Sequence, residues 1–150
     1  MQIAMIGTGY VGLVTGACFS EFGAAVTCVD SDNLKIEKLN NGGIPIFEPG
    51  LETLVRNNVN AGRLYFSCAL KPAVAKSDAV FIAVGTPSRR GDGHADLSYV
   101  FSAAKEIASG LDGYTLVVTK STVPVGTGRQ VEAIMRQLRP DAEFDVCSNP

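Results

Sequence analysis

Three glycines and one acid carry the first chemistry that the sequence suggests. Gly7, Gly9 and Gly12 stand in a G-x-G-x-x-G spacing directly behind the apolar run Ile3-Ala4-Met5-Ile6, and a long apolar segment follows. In a buried strand that turns sharply into a helix, each glycine has a mechanical job. Gly7 permits the tight turn, Gly9 lets a pyrophosphate approach the backbone, and Gly12 lets helix and strand pack closely. The unpaired N–H groups at the helix start, in the stretch of Tyr10 and Val11, then form an anion site with the helix dipole. Glycines alone also fit a turn without a ligand. The acid shifts the balance: a second apolar run, 25–29, ends in Asp30, eighteen residues past Gly12. An acidic residue at about that distance holds the ribose hydroxyls of an adenine dinucleotide and repels a 2′-phosphate. The pattern therefore predicts dinucleotide binding, with NAD preferred to NADP.

Other polar residues stand where a ligand could reach them. Lys35 falls in the first turn of the next helix, where a cation opposes the helix dipole. It reads either as a solvated lysine or as a second hand on the ribose beside Asp30. Gly85, Thr86 and Pro87 follow the apolar run 79–84, at a carboxyl end, where open α/β sheets bind ligands. They read as ligand-lining or as a plain turn. Ser121 and Thr122 close the fifth apolar run, and their hydroxyls either bond a ligand or cap the following helix. His94 lies in the polar, glycine-rich loop 89–95, which reads as mobile, and is a solvated loop residue rather than a general base. The four cysteines show no C-x-x-C spacing, and His94 is the only histidine, so no metal site is expected. Cys18, Cys28 and Cys147 read as small buried residues, with Cys68 less so.

Elements that would position these residues alternate along the chain. Strands are expected near 3–6, 25–29, 64–66, 79–84, 115–118 and from 144. The first helix, about 10–22, is apolar nearly all round, which means burial on more than one side. Gly16 shares the face of Gly12 and extends the close contact with the sheet. Ser31 or Asp32 caps a helix carrying Leu34, Ile36 and Leu39. Pro49 starts a helix whose face is Leu51, Leu54, Val55 and Val59, and a short helix follows around 72–76. Asp96 caps a helix with Val100, Phe101, Ala104, Ile107 and Ala108 on one face. Pro124 starts the last one, with Val131, Ile134, Met135 and Leu138. Strand–helix alternation predicts an α/β doubly wound parallel sheet with right-handed crossovers and strand order 3-2-1-4-5-6. The cleft is expected between strands 1 and 4.

The bulk numbers fit one ordinary domain. At 150 residues the chain can bury roughly two thirds of its unfolded surface. A net charge of −2 and a pI near 5.3 argue against nucleic-acid and anionic-membrane partners. No apolar run is long enough to span a membrane, and the first residues lack a secretory signal pattern, so cytoplasm is expected.

The chain resembles the nucleotide-sugar dehydrogenases of the UDP-glucose dehydrogenase family. The matching pieces are Gly7-Thr8-Gly9-Tyr10-Val11-Gly12-Leu13, Val29-Asp30, Phe47-Glu48-Pro49-Gly50-Leu51, Gly85-Thr86-Pro87, Ala95-Asp96-Leu97, Lys120-Ser121-Thr122-Val123-Pro124 and Ser148-Asn149-Pro150. They span the whole chain in order and are specific as a set. The resemblance implies a Rossmann-fold NAD-binding domain, residues 1–150, of an enzyme that oxidises UDP-glucose to UDP-glucuronate with two NAD⁺ reduced. An enzyme thiol captures the aldehyde, and a thioester is hydrolysed. Carried onto this chain, the resemblance places the pyrophosphate on the glycine loop and the adenosine ribose on Asp30 and Lys35. Gly85, Thr86, Pro87 and Ser121 line the nicotinamide side, and Thr122 contacts the cofactor and positions a catalytic water. The family's substrate segment and thiol lie beyond the pattern ending at Pro150. The chain therefore reads as the amino-terminal part of a longer, homo-oligomeric enzyme, inactive alone and prone to self-associate.

Rival readings remain. A GDP-mannose or other UDP-sugar dehydrogenase shares several motifs, and another hydroxy-acid or hydroxyacyl dehydrogenase shares the domain. From another class, a non-catalytic NAD(H)-sensing module explains the glycines and Asp30 equally well. A methyltransferase fits less, since its substrate lacks the pyrophosphate.

Overall fold

The computed structural model describes residues 1–89, 91 and 93–150. Arg90 and Asp92, part of the loop read as mobile, lie outside the described residues. Six strands form one parallel sheet: β1 (Gln2–Ile6), β2 (Ala25–Val29), β3 (Leu64–Ser67), β4 (Ala79–Ile82), β5 (Thr115–Thr119) and β6 (Phe144–Ser148). Their order is β3-β2-β1-β4-β5-β6, as expected from the sequence. The switch point of the order lies between β1 and β4, where Ile6 stands beside Ile82 on one side and Val29 on the other.

The helices are α1 (Tyr10–Glu21), α2 (Asn33–Asn40), α3 (Leu51–Asn60), α4 (Leu70–Ala75), α5 (Ser98–Gly110) and α6 (Thr127–Leu138). Each sheet face has its own core. Ile3, Met5, Val26 and Cys28 point to one face, where they meet Leu13 and Ala17 of α1, Ile36 of α2 and Val55 of α3. Ala4, Ile6, Val80, Ile82 and Val117 point to the other, against Val74 of α4, Ile107 of α5 and Met135 of α6. Apolar residues at Ile3, Ala4, Met5 and Ile6 of β1 follow from coverage on both sides. Gly16 makes the anticipated contact, since a Cβ there would stand 2.7 Å from Cys28 Sγ.

Several local expectations are corrected. Of the two expected caps of α2, Ser31 and Asp32, it is Asp32 that accepts from the amides of Leu34 and Lys35. Leu34 is exposed, because α2 turns only Ile36 and Leu39 inward. Tyr10, Val11 and Phe22 are exposed too, so α1 is buried along one stripe rather than all round. α4 starts at Leu70, two residues ahead of Pro72, which fits because proline lacks only a first-turn donor. Pro124 does not start α6. Its carbonyl accepts from the Thr127 amide and hydroxyl, and Gly126, at φ 91°, turns the chain into the helix. Leu138 is exposed at the far end of α6. Asp96 sits one residue before the cap of α5, at Leu97, and accepts from the Ser98 amide.

The face of α3 keeps Leu51 and Val55 but ends on a different residue. Asn58, not Val59, is buried, in phase with Leu51 and Val55. Its amide nitrogen donates to Glu21 Oε2 and Leu54 O, and its oxygen accepts from Arg63 Nε and Nη2. Asn58→Ala removes all four bonds and leaves the part-buried Arg63 guanidinium with Ser20 O as its remaining acceptor. The expected loss is about 2–3 kcal/mol, or a melting-temperature drop of roughly 5–10 °C by circular dichroism.

Candidate nucleotide-binding cleft

The turn from β1 into α1 is built on two glycines, Gly7 and Gly12, where no side chain fits. Gly7 has φ 106°, and its amide donates to Val29 O at 2.7 Å. A Cβ on Gly12 would lie 1.9 Å from Gly7 O. Gly9 differs: a Cβ there meets nothing within 4 Å, so its backbone faces open space. Gly9 caps α1 without any side-chain bond. The first-turn amides of Tyr10, Val11 and Gly12 therefore have no intrahelical acceptor and point out of the helix start. Tyr10 itself sends its hydroxyl away from this turn, to Phe47 O and the Glu48 carboxylate, fastening loop 44–50 to α1.

Asp30 closes β2 beside this turn. Its Oδ2 accepts from the Thr8 amide at 2.8 Å and the Thr8 hydroxyl at 2.7 Å, and Oδ1 accepts from the Asp32 amide at 3.0 Å. Lys35 Nζ lies 3.6 Å from Oδ2, an ion pair whose lysine side chain stays partly exposed to solvent. Partial burial pushes this carboxyl up. The Thr8 hydroxyl, the Thr8 and Asp32 amides and Lys35 together outweigh it, and the net shift is below the usual carboxylate value. Asp30 is thus a fixed anion.

A cleft of about 590 Å³ opens over the switch point. Gly7, Gly9, Asp30, Lys35, Gly85 and Pro87 line it together. Volume of this order is typical of small-ligand sites. The remaining candidates are placed beside it rather than in its walls. Ser121 is buried and donates its hydroxyl to Val84 O at 2.7 Å. Thr86 donates to Thr122 O at 3.1 Å, and the Thr122 residue is exposed. These bonds tie the end of β4 to the end of β5. The Ser121 hydroxyl does not cap α6: it braces the β4 strand end.

Thr8 and the opposite wall were not anticipated. Tyr99, Ser102 and Glu106 on α5 line the cleft together with Cys68 and Leu70. Their i, i+3, i+7 spacing runs beside the apolar stripe of α5, but only the packing of α5 on α4 turns that face toward the cleft. His94 is exposed, and its carbonyl accepts from the Arg89 amide within a loop closed by a Ser88–Ala95 bridge. Among the thiols, Cys28 is buried and pushed up to about 12 by desolvation. Cys18 is partly buried and Cys68 exposed. Cys147, expected inside, is exposed, because it lies on the face of edge strand β6 opposite to α6. Among the described residues no cluster could hold a metal ion, and no helix is long and apolar enough to cross a membrane.

Comparison with known proteins converges on one group. A profile of the UDP-glucose/GDP-mannose dehydrogenase family, NAD binding domain, matches residues 1–150. The chain is 66% identical to UDP-glucose 6-dehydrogenase of Rhizobium meliloti, across all of this chain and 34% of that protein. It is 53% identical to UDP-glucose 6-dehydrogenase TuaD of Bacillus subtilis, across 99% of this chain and 32% of that protein. Among solved structures it resembles a ternary complex of GDP-mannose dehydrogenase from Pseudomonas aeruginosa, with TM-score 0.95 and 38% identity, covering 100% of this chain and 36% of that one. The chain thus spans about a third of the length of these relatives. With the glycine turn, the acid and the switch-point cleft in place, the chain belongs to the UDP-glucose/GDP-mannose dehydrogenase family, as its NAD binding domain.

Proposed function

We propose that this chain is the cofactor-holding part of a cytoplasmic, homo-oligomeric enzyme that oxidises the C6 alcohol of UDP-glucose to the carboxylate of UDP-glucuronate. The observation that carries the reading is the cleft itself. The open backbone at Gly9 and the fixed carboxylate of Asp30 line it together, and Asp30 follows the glycines at the sequence distance typical of adenine-dinucleotide sites, which supports the reading. Bound NAD⁺ supplies the acceptor for hydride leaving the sugar.

The chain's own residues bind and orient. Gly7, Gly9 and Gly12, with the amides of Tyr10 and Val11, receive the pyrophosphate at the start of α1. Asp30 accepts from the adenosine ribose while Lys35 holds its charge balanced. Gly85, Thr86 and Pro87 form the nicotinamide side, with Ser121 fixing the height of that strand end. We assign Thr122 to the cofactor edge, where its hydroxyl orients a water for the hydrolytic step. We place the thiol that captures the aldehyde outside these 150 residues. Cys28 is sealed in the core, and Cys68 lies at the ribose end of the cleft.

Calorimetric titration tests the cofactor half. NADH should bind more tightly than NADPH, and equal or better NADPH binding overturns the assignment. For the sugar half, the full-length enzyme bearing this domain should yield two NADH per UDP-glucose. One NADH per sugar, or preference for GDP-mannose, overturns that half. The 150-residue chain alone should give no sustained NADH production.

Thiol labelling offers a cofactor footprint. With an alkylating reagent, Cys68 and Cys147 should react rapidly, and Cys28 only after unfolding. NADH at tenfold over its Kd should slow Cys68 about tenfold and leave Cys147 unchanged, as read by peptide mass spectrometry.

A further inference from the structure

The residue between the first two glycines of the loop is more than a spacer. Thr8 is 0% exposed, and both of its donors go to one atom, Asp30 Oδ2. With Lys35 Nζ nearby, that oxygen faces three donors and has no lone pair left for an incoming hydroxyl. Oδ1 accepts from one amide only, that of Asp32, and keeps a free lone pair.

We propose that Thr8 is a positioning residue for cofactor recognition: it clamps Asp30 Oδ2 so that Oδ1 alone is presented to the ribose diol. The inference rests on the NAD assignment above. An aspartate at a strand end has two soft torsions, and ordering them during binding would cost affinity. Thr8 orders them beforehand. Its own χ1 is stiff because threonine is branched at Cβ. The clamp also joins two subsites, since the Thr8 amide belongs to the loop that receives the pyrophosphate. A carboxylate held in place repels a 2′-phosphate, whereas a loose one can rotate away from it.

A merely structural Thr8, tying the loop to β2, makes different predictions. Valine keeps the shape and the amide of Thr8 and removes only the hydroxyl. Calorimetry with NADH and NADPH on the 150-residue chain, with melting curves, would compare wild type, Thr8→Val, Thr8→Ser, Asp30→Ala and the Thr8→Val/Asp30→Ala double variant. Thr8→Val should weaken NADH about tenfold and narrow the NADH-over-NADPH preference, as loss of a bond to a charged group does. Thr8→Ser should restore most of both. In the Asp30→Ala background, Thr8→Val should change NADH affinity less than about twofold, because the residue acts through Asp30. Additive losses, or an unchanged preference in folded Thr8→Val, overturn the inference while leaving NAD binding intact. Should Thr8→Val melt below the assay temperature, Thr8→Ala takes its place in the cycle. A wild-type chain that binds no NADH overturns the cofactor assignment and this inference together.

Discussion

Gly12→Ala is expected to unfold the chain, whereas Gly9→Ala should leave it folded and poor at binding NADH. The two positions are three residues apart in one loop, and geometry separates them. A Cβ at residue 12 would stand 1.9 Å from Gly7 O and 3.3 Å from Ala83 Cβ. No rotamer relieves a clash made by Cβ itself. Gly7 cannot retreat either, because its own backbone is packed against Ala83 O, where a Cβ would lie at 2.6 Å. Overpacking in a core commonly costs about 1–3 kcal/mol, and a contact with unyielding backbone exceeds that range. Against a total stability on the order of 5–15 kcal/mol, the melting temperature should fall by roughly 10 °C or more, if a cooperative transition survives. At Gly9 the added methyl meets no protein atom within 4 Å. Stability should stay within about 0.5 kcal/mol of wild type. The methyl instead crowds the bound pyrophosphate, and the same overpacking scale corresponds to a roughly ten- to hundred-fold weaker NADH complex. Wild-type NADH affinity in Gly9→Ala would contradict the placement of the pyrophosphate.

Asp30→Ala should weaken NADH roughly ten- to hundred-fold, the scale of a lost bond to a charged acceptor. NADPH should be hurt less or even gain. Removing the carboxylate takes away the repulsion of a 2′-phosphate and frees Lys35, now 3.6 Å from Asp30, to attract it. The two affinities should converge; an unchanged ratio would show that the acid does not read the 2′ position. Asp30 also has a pH signature. Its folded value lies below the ordinary one, so the stability it lends is complete above the unfolded carboxylate value. That contribution fades as pH falls through the folded value. The stability gap between wild type and Asp30→Asn should therefore be constant near neutrality and close on acidification. A gap that widens toward low pH would reverse the sign assigned here.

The sheet was legible because its signals are strong and local. Six apolar runs separated by helical segments leave few topologies, and right-handed crossovers choose among them. Asp30 was legible because a carboxylate at a fixed distance behind three glycines has few other uses. Thr8 was not, since a spacer position carries no periodicity and its partner is 22 residues away. Asn58 was hidden by its type: it lies seven residues past Leu51 on the same helical face, but a polar side chain does not read as core, and four hydrogen bonds hold it inside. Cys147 misled because an apolar run suggests two covered faces, yet β6 is an edge strand with α6 on one side only. The α5 wall of the cleft depends on helix–helix packing, which no window of sequence contains.

Placing the first strand at the middle of the sheet fixes an order of events in folding. β1 can pair with β2 as soon as both exist, but its other edge waits for β4, and the Gln2 amide bonds Asp78 across 76 residues. Closing so long a loop is slow, and the site is complete only afterwards. Gly9 and Asp30 come from the first half of the chain, Gly85 and Tyr99 from the second. NADH can therefore grip only a chain whose halves have already docked. In stopped-flow denaturant jumps, the cofactor should slow unfolding in proportion to its occupancy and leave the refolding rate almost untouched.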